Sequence, residues 1–599
     1  MALNFPNSPT IGQTFTNIGG SSWIWDGTTW NLIQQITNSA TELVYLPDGV
    51  GAVQTTAADK FKESISVKDF GAVGDGVADD TVAINAALAA LSGTGEYLRM
   101  PVGTYNVSST INIPTKTGMI GDRGAKIFAL KSGFNNVTDP TDLYSSNTMV
   151  IDMSGGTVSP FTANDDQKLI GMVIEFETFD GTVVNAVTAR NCSNVEIDRN
   201  EIKNFNTSTG ISLQSLTKGG RITNNYIHDF SNTKDYGGSY TVGDINLFGI
   251  EVDDDRINDV ISSHVLIEGN HIENIAHTGA ALTAYTDQSD AIGIQKGTYI
   301  KVLGNTLVDV NEAIDLYGEY CIVSNNVCKD NLGFGIKLIH GARFNTVSNN
   351  QVTNAGYGGI VVSGGAATLP NTEYNLFSDN VIIGIDPNND IVGTTGCIQV
   401  DDQGNGTANN NSFVNNILDA GTYGQYNIVV QQAGSINNRF LGNTIITEGT
   451  IARYSLDHKT QELQEAIPTM VSVYRATDQT GVVTGTITKV QFDTEIVDRR
   501  AEYDNATNYR WTCVVPGFYQ VTGGVRMAAF TTPNIYLYKN DSLERTIAAS
   551  STGDDSVFIT YIVNCDAGDY LDIRVRHSAG VDRTITGGKD WAFMTIGQI

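Results

Sequence analysis

One pattern constrains this chain more than any other: apolar-x-x-Asn-x-apolar, which recurs nine times between Ile197 and Ile445. Its asparagines are Asn200, Asn225, Asn270, Asn305, Asn326, Asn350, Asn380, Asn416 and Asn443. Eight intervals cover 243 residues, about 30 per repeat, which is a solenoid period. All units but the last carry a second signature after the asparagine, an alternating trio. The trios are Ile211-Ser212-Leu213, Ile250-Glu251-Val252, Ile292-Gly293-Ile294, Ile314-Asp315-Leu316, Ile336-Lys337-Leu338, Ile360-Val361-Val362, Ile398-Gln399-Val400 and Ile428-Val429-Val430. Two strands per repeat with polar turns between them predict an all-β parallel β-helix, not an array of helices. The asparagines are accounted for as a stack of side chains at a turn, where Asn tolerates left-handed backbone.

The rest of the composition fits a folded, multidomain chain. Its 599 residues exceed what one core organises. The net charge of −29 repels phosphate, so neither nucleic acid nor membrane insertion is expected. With 41% hydrophobic and only 17% charged residues, the acidity belongs to folded domains. Cys192, Cys321, Cys328, Cys397, Cys513 and Cys565 follow no disulfide or metal spacing and read as buried thiols, pointing to synthesis in a reducing compartment. The start, Met1-Ala2-Leu3-Asn4-Phe5-Pro6-Asn7, has no basic region followed by an apolar run, so no signal peptide is expected.

Five regions follow. Residues 1–40 form a small unit around Trp23, Trp25 and Trp30 with an Asp26-Gly27 turn, and residues 41–66 a neck. Residues 67–455 form the β-helix, opened by a short helix with Val82, Ala86, Leu88 and Leu91 as its apolar positions, capped by Asp79 or Asp80 and closed near Gly93. Residues 456–468 read as a helical linker, with Leu456, Leu463 and Ile467 on one side and Pro468 at its end. Residues 469–599 change rhythm to about seven strands of a β-sandwich.

Three segments carry a resemblance. Phe5 to Pro9 and the tryptophan unit resemble the N-terminal modules by which phage tail fibres attach to the virion. Ser66 to Gly76 with Asp79-Asp80-Thr81, and Gly95 to Tyr105, resemble the start of the pectate-lyase-like β-helix family used by tail-spikes, where the helix plugs one end. Val515 to Val521, Ile535 to Asn540 and Ala567 to Leu571 resemble the trimeric jelly rolls of the complement and tumour-necrosis-factor type. The resemblance implies a right-handed parallel β-helix with a C-terminal jelly roll, acting as a phage tail-spike. It further implies a homotrimer, attachment to phage tail or baseplate proteins through the N-terminus, and action at the bacterial surface after synthesis in the host cytoplasm.

In each trio the flanking residues point inward and the middle one outward. The outward column reads Ser212, Glu251, Gly293, Asp315, Lys337, Val361, Gln399, Val429, with Asp290, Glu312, Asp253 and Tyr317 beside it. Charge gathers on four adjacent coils, while later coils are expected to expose Val361 and Val429. The longest intervals, 45 residues from Asn225 to Asn270 and 35 to Asn305, carry Tyr236, Tyr240 and Tyr285 in loops suited to walling a sugar groove. Glu251 and Asp315, two coils and ~9.6 Å apart, suit an inverting pair; Asp290 and Glu312, one coil apart, suit a retaining pair. These four are the candidate catalytic residues, with Asp253, Tyr317, Lys337, Tyr236, Tyr240 and Tyr285 as substrate contacts. Lys337, Tyr317 and His340 beside Asp315 equally suit β-elimination from a uronic acid. Asp253-Asp254-Asp255 is a weak Ca2+ motif; otherwise no cofactor or metal is expected. The expected function is depolymerisation of a bacterial surface polysaccharide, with endo-glycosidic hydrolysis preferred over elimination. The alternative is a non-catalytic receptor-binding fibre.

Overall fold

The computed structural model describes the chain outside residues 1–3, 18–20, 34–40, 42, 135–147, 156–163, 178–183, 207–208, 216–218, 233–246, 254–260, 278–288, 366–369, 390–392, 405, 432–433, 448, 456–460, 466–468, 528–532 and 549–555. It is a nearly all-β molecule dominated by a right-handed parallel β-helix. Each coil has three strands, not two. The Asn-containing segment is divided at its asparagine, as in Val195–Asp198 and Glu201–Asn206, and the trio forms the third strand, as in Thr209–Gln214. Twelve parallel strands from Ile111–Asn112 to Ala452–Ser455 make this third sheet.

The stacked asparagines do what the repeat predicts, with one refinement. Asn326 donates from Nδ2 to the Val302 carbonyl and to Asn350 Oδ1, both at 2.9 Å, and its own Oδ1 accepts from Asn305. The same pattern runs from Asn200 to Asn443. The left-handed residue is the one before each asparagine: Arg199, Asn224, Asn325, Asn349, Asp379 and Asn415, with glycine at 269, 304 and 442. A second ladder runs through Asn345, Asn375, Asn411 and Asn438 at another corner. Inside, isoleucine, valine and phenylalanine stack by coil; the rings of Phe377, Phe413 and Phe440 lie 4.6 and 4.9 Å apart.

The capping helix spans Thr81–Leu91 and buries Ile84, Ala87, Leu88 and Leu91 against the first coil. Val82 and Ala86 face outward instead, so the apolar face is rotated from that expected. Asp79 accepts from the Thr81 N–H at 3.0 Å, whereas the Asp80 carboxylate turns back to accept from Val73 and Gly74 N–H. The segment predicted as a helical linker is strand where it is described: Glu462–Glu465 pairs in parallel with Arg439–Ile445. Leu463 is the inward residue of that strand, and the Gln461 amide continues the second ladder, accepting from Asn438 N–H at 3.0 Å. The β-helix therefore extends past residue 455.

At the N-terminus, strands Thr14–Thr16, Ser22–Trp25 and Trp30–Ile33 form an antiparallel sheet around Phe5, Phe15, Trp23 and Trp30. The described C-terminal region has two large antiparallel sheets and a small one pairing Gln479–Val482 with Arg583–Ile585. One large sheet is ordered Thr494–Asp498, Met470–Tyr474, Ala592–Gln598, Gly517–Arg526, Ser556–Cys565; the other is built on Tyr570–Arg576 and Asn534–Lys539. They enclose a separate core including Trp511, Tyr519 and Leu571. All six cysteines are buried thiols. Among the described residues, no helix is long and apolar enough to cross a membrane.

Candidate active site

The third sheet positions the site, and a bend in its strands shapes it. Before the isoleucine of the first seven trios stands a small residue: Gly210, Gly249, Ala291, Ala313, Gly335, Gly359, Cys397; before the eighth stands Asn427. The small residue faces inward as the isoleucine does: Ala291, Ala313 and Cys397 are core residues, and a Cβ on Gly335 would lie 2.4 Å from Val352 Cγ1. Two consecutive inward residues bend the strand, so the residue before the small one returns to the outer face. Glu312 pairs with Asp290 and Phe334, while Asp315 pairs with Gly293 and Lys337. Two outward columns thus run side by side: Thr209, Phe248, Asp290, Glu312, Phe334 beside Ser212, Glu251, Gly293, Asp315, Lys337.

The register of the trio column is as predicted, but its exposure is not. Ile314 and Leu316 are core residues, yet Asp315 on the opposite face is only 1% exposed. Glu251, Asp253, Asp290, Glu312, Lys337, Val361 and Val429 are buried too. Side chains on the outer face itself supply part of the cover. The Phe248 ring fills the space above Gly293, and a methyl of Val361 fills that beside Gly358. The expectation of solvent-facing carboxylates and exposed valines is therefore corrected: the groups lie outside the apolar core but beneath cover.

Three carboxyl groups meet here. Oxygen atoms of Asp290, Glu312 and Asp315 lie within 4.8 Å of one another. Lys337 Nζ is 2.5 Å from Glu312 Oε2 and 3.5 Å from Asp315 Oδ2, and stands over the Phe334 ring. Burial raises the Asp315 carboxyl above the usual carboxylate range, and Lys337, Tyr317 and His340 only partly offset this. Burial also works against the charged ammonium of Lys337, but Asp315 and Glu312 outweigh it and hold that group well above its ordinary value. One cation facing three close carboxyl groups leaves the cluster short of positive charge, which favours a proton on a carboxyl. Tyr317 and His340, less buried than the rest, pack edge to face 4.7 Å apart at the rim. Burial pushes the Tyr317 hydroxyl well up and the His340 imidazole down. The three carboxyls are also the described group able to hold a cation, in competition with the Lys337 ammonium.

Glu251 stands apart. It accepts from Ser212 Oγ at 3.0 Å and Thr209 Oγ1 at 3.3 Å, and the Phe248 ring over Gly293 occupies the coil between it and Asp315. Asp253 ends its strand, its carbonyl accepting from Ser262. Tyr236, Tyr240, Tyr285, Asp254 and Asp255 lie outside the described residues. Ser212 stood in the expected outward column, whereas Thr209, Phe248 and Phe334 were missed from sequence. The signal that finds them is the small residue before the trio, which places the residue ahead of it on the outer face.

Residues 171–382 match the family model "Right handed beta helix region". Over 249 residues the chain is 26% identical to mannuronan C5-epimerase AlgE5 of Azotobacter vinelandii, covering 39% of this chain and 23% of that one. Over 79 residues it is 34% identical to a glucan 1,3-beta-glucosidase of Cochliobolus carbonum, covering 13% and 10%. The chain spans far less than two thirds of either relative. Among solved structures, the Dettilon tailspike protein superposes with a TM-score of 0.52 at 14% identity, covering 91% of this chain and 96% of that one. The tailspike of E. coli bacteriophage HK620, in a mutant form with a pentasaccharide, gives 0.48 at 13% identity, covering 94% and 98%.

Proposed function

We propose that this protein is a phage tail-spike that binds and cleaves a bacterial surface polysaccharide, using the carboxyl cluster of the third sheet. The observation that carries the reading is the convergence of Asp290, Glu312 and Asp315 within 4.8 Å around Lys337. A carboxyl held protonated by burial is a general acid for a glycosidic oxygen, and carboxylates about 5 Å apart suit a retaining mechanism. Asp315 is the acid; Asp290 and Glu312 supply the nucleophilic carboxylate. Glu251, screened by Phe248, shapes the strand's outer face. Tyr317 and His340 at the rim contact the sugar. Polysaccharide-modifying relatives and a tail-spike fold along nearly the whole chain support this reading, in which the chain forms a homotrimer joined to the phage tail through its N-terminal unit.

A second reading rests on a different observation. Tyr317 and His340 are the more accessible groups of the cluster, and Lys337 lies behind them. A C5-epimerase of mannuronan begins by removing a proton from C5 of a uronate, and β-elimination begins the same way. Incubating the protein with purified capsular and exopolysaccharides separates the alternatives. New reducing ends without ultraviolet absorbance support hydrolysis, and an unsaturated product absorbing in the ultraviolet replaces it with elimination. Exchange of the C5 proton with deuterated solvent without cleavage marks epimerisation, and binding with neither cleavage nor exchange leaves a receptor-binding fibre.

A further inference from the structure

The corner that holds the second asparagine ladder carries a feature that neither reading uses: a residue just ahead of the ladder position. The turn entering the first sheet has a left-handed residue on every coil described there. Lys116, Asp166, Asn194, Gly219, Asn410 and Asn437 occupy it on outer coils, all but Lys116 being residues that adopt this conformation cheaply. On five consecutive coils between them it is His264, Tyr299, Tyr320, Phe344 and Tyr374, with φ of 56–59°. Histidine tolerates this region, but tyrosine and phenylalanine are disfavoured in it, so the turn itself does not account for the four residues from Tyr299 to Tyr374. Their rings stack in one ladder, centroids 5.1–5.5 Å apart and planes within 27° of parallel. From Tyr299 to Tyr374 each ring is 42–51% exposed, and Ile322 and Leu376, two residues on, widen the apolar strip.

We propose that this aromatic ridge is a contact surface between copies of the chain, covered by the solenoid of a second copy. The inference rests on the self-association in the reading above. Three observations choose the occupant. The faces of the three inner rings are turned to their neighbours, so along most of the ridge a sugar meets ring edges and not an open face. The ridge runs along the solenoid axis with the ~4.8 Å coil repeat, which a second solenoid packed alongside matches ring by ring. Finally, charge along the strip is balanced in a chain of net charge −29: Arg343 pairs with Glu319 at 2.8 Å, and Lys301 and Glu373 add one of each sign. Copies meeting here avoid the repulsion expected over most of the surface.

The test uses hydroxyl-radical footprinting of the full-length protein at concentrations where sedimentation shows an oligomer. The expected result is that Tyr299, Tyr320, Phe344 and Tyr374 are labelled several-fold less than Tyr423, a solenoid ring of similar exposure. The double variant Tyr320→Asn, Phe344→Asn is expected to associate at least about tenfold more weakly, as loss of central aromatic contacts does. Its melting temperature as a dissociated chain is expected to hold, because Asn suits the left-handed turn. An oligomer whose ridge is labelled like Tyr423, or a variant that associates normally, overturns the proposal. So does a variant that associates normally but loses retention on polysaccharide, which makes the occupant a glycan, or one that only melts earlier, which leaves the rings a role in the turn. Sedimentation at 64.3 kDa at every concentration overturns self-association itself, leaving the polysaccharide reading standing.

Discussion

The ammonium of Lys337 and the carboxylate of Glu312 meet at 2.5 Å on adjacent coils, with both side chains almost wholly buried. Lys337→Met removes the cation that keeps three buried carboxyl groups compatible. Breaking a buried pair from one side costs about 3–5 kcal/mol, so a loss of that order is expected at neutral pH. Protonation relieves it, so the deficit shrinks as pH is lowered towards the carboxyl range. Denaturant midpoints of wild type and variant across pH check this; a deficit independent of pH sinks it.

Asp315 has its own signature. Its folded-state pKa is raised above 3.8, so the folded chain holds a proton that the unfolded chain releases. This contribution is fully present below 3.8 and is lost as pH rises from there through the higher folded-state value. Asp315→Asn is expected to flatten that part of the stability profile. It is also expected to lower turnover by roughly 10² or more if the group donates the glycosidic proton.

The carboxylates divide by environment. Asp290→Asn and Glu312→Gln are each expected to cut turnover by roughly 10² or more. Glu251→Gln, behind the Phe248 ring, is expected to act mainly through stability, because an uncharged amide accepts less well from Ser212 and Thr209. Rates and melting temperatures of the three variants decide; a turnover loss confined to Glu251→Gln returns the acid–base pair to Glu251 and Asp315.

The repeat, the asparagine stack and the trio register were legible because each rests on short-range patterning, period two along a strand and one asparagine per coil. The burial of Asp315 was not. Strict alternation makes it solvent-facing, and the neighbours packed on that face, Phe248 over Gly293 and Lys337 against Glu312, come from other coils and are not set by alternation. The segment 461–465 misled for a related reason. Leucine seven residues apart fits a helical face as well as it fits a strand plus a turn, and the partner that decides, Arg439–Ile445, is remote in sequence.

The bend in the third sheet is testable at Gly335. A Cβ there would lie 2.4 Å from Val352 Cγ1 and 2.6 Å from the Gly359 carbonyl. Gly335→Ala is expected to cost about 1–3 kcal/mol by overpacking and to lower activity by displacing Lys337 two residues on. A neutral change in both stability and rate counts against the bend as the element that positions the site.

The C-terminal five-stranded sheet is expected to hold copies together. Its outer face exposes Met470, Phe518, Phe558 and Ile562 among threonines. Phe558→Glu is expected to weaken the oligomer with little change in the fold of one chain. Light scattering at about three times the single-chain mass for wild type, and less for the variant, is the outcome sought.

The paired inward residues have a consequence for how such a molecule diversifies. Asp290, Glu312, Asp315 and Lys337 stand on strands that keep one pairing register from coil to coil. The intervals between ladder asparagines meanwhile range from 21 to 45 residues, so length varies between the paired strands and not within them. In the function proposed above, a change of glycan preference therefore falls to the connecting segments, and the paired strands remain a fixed chassis for the reactive groups.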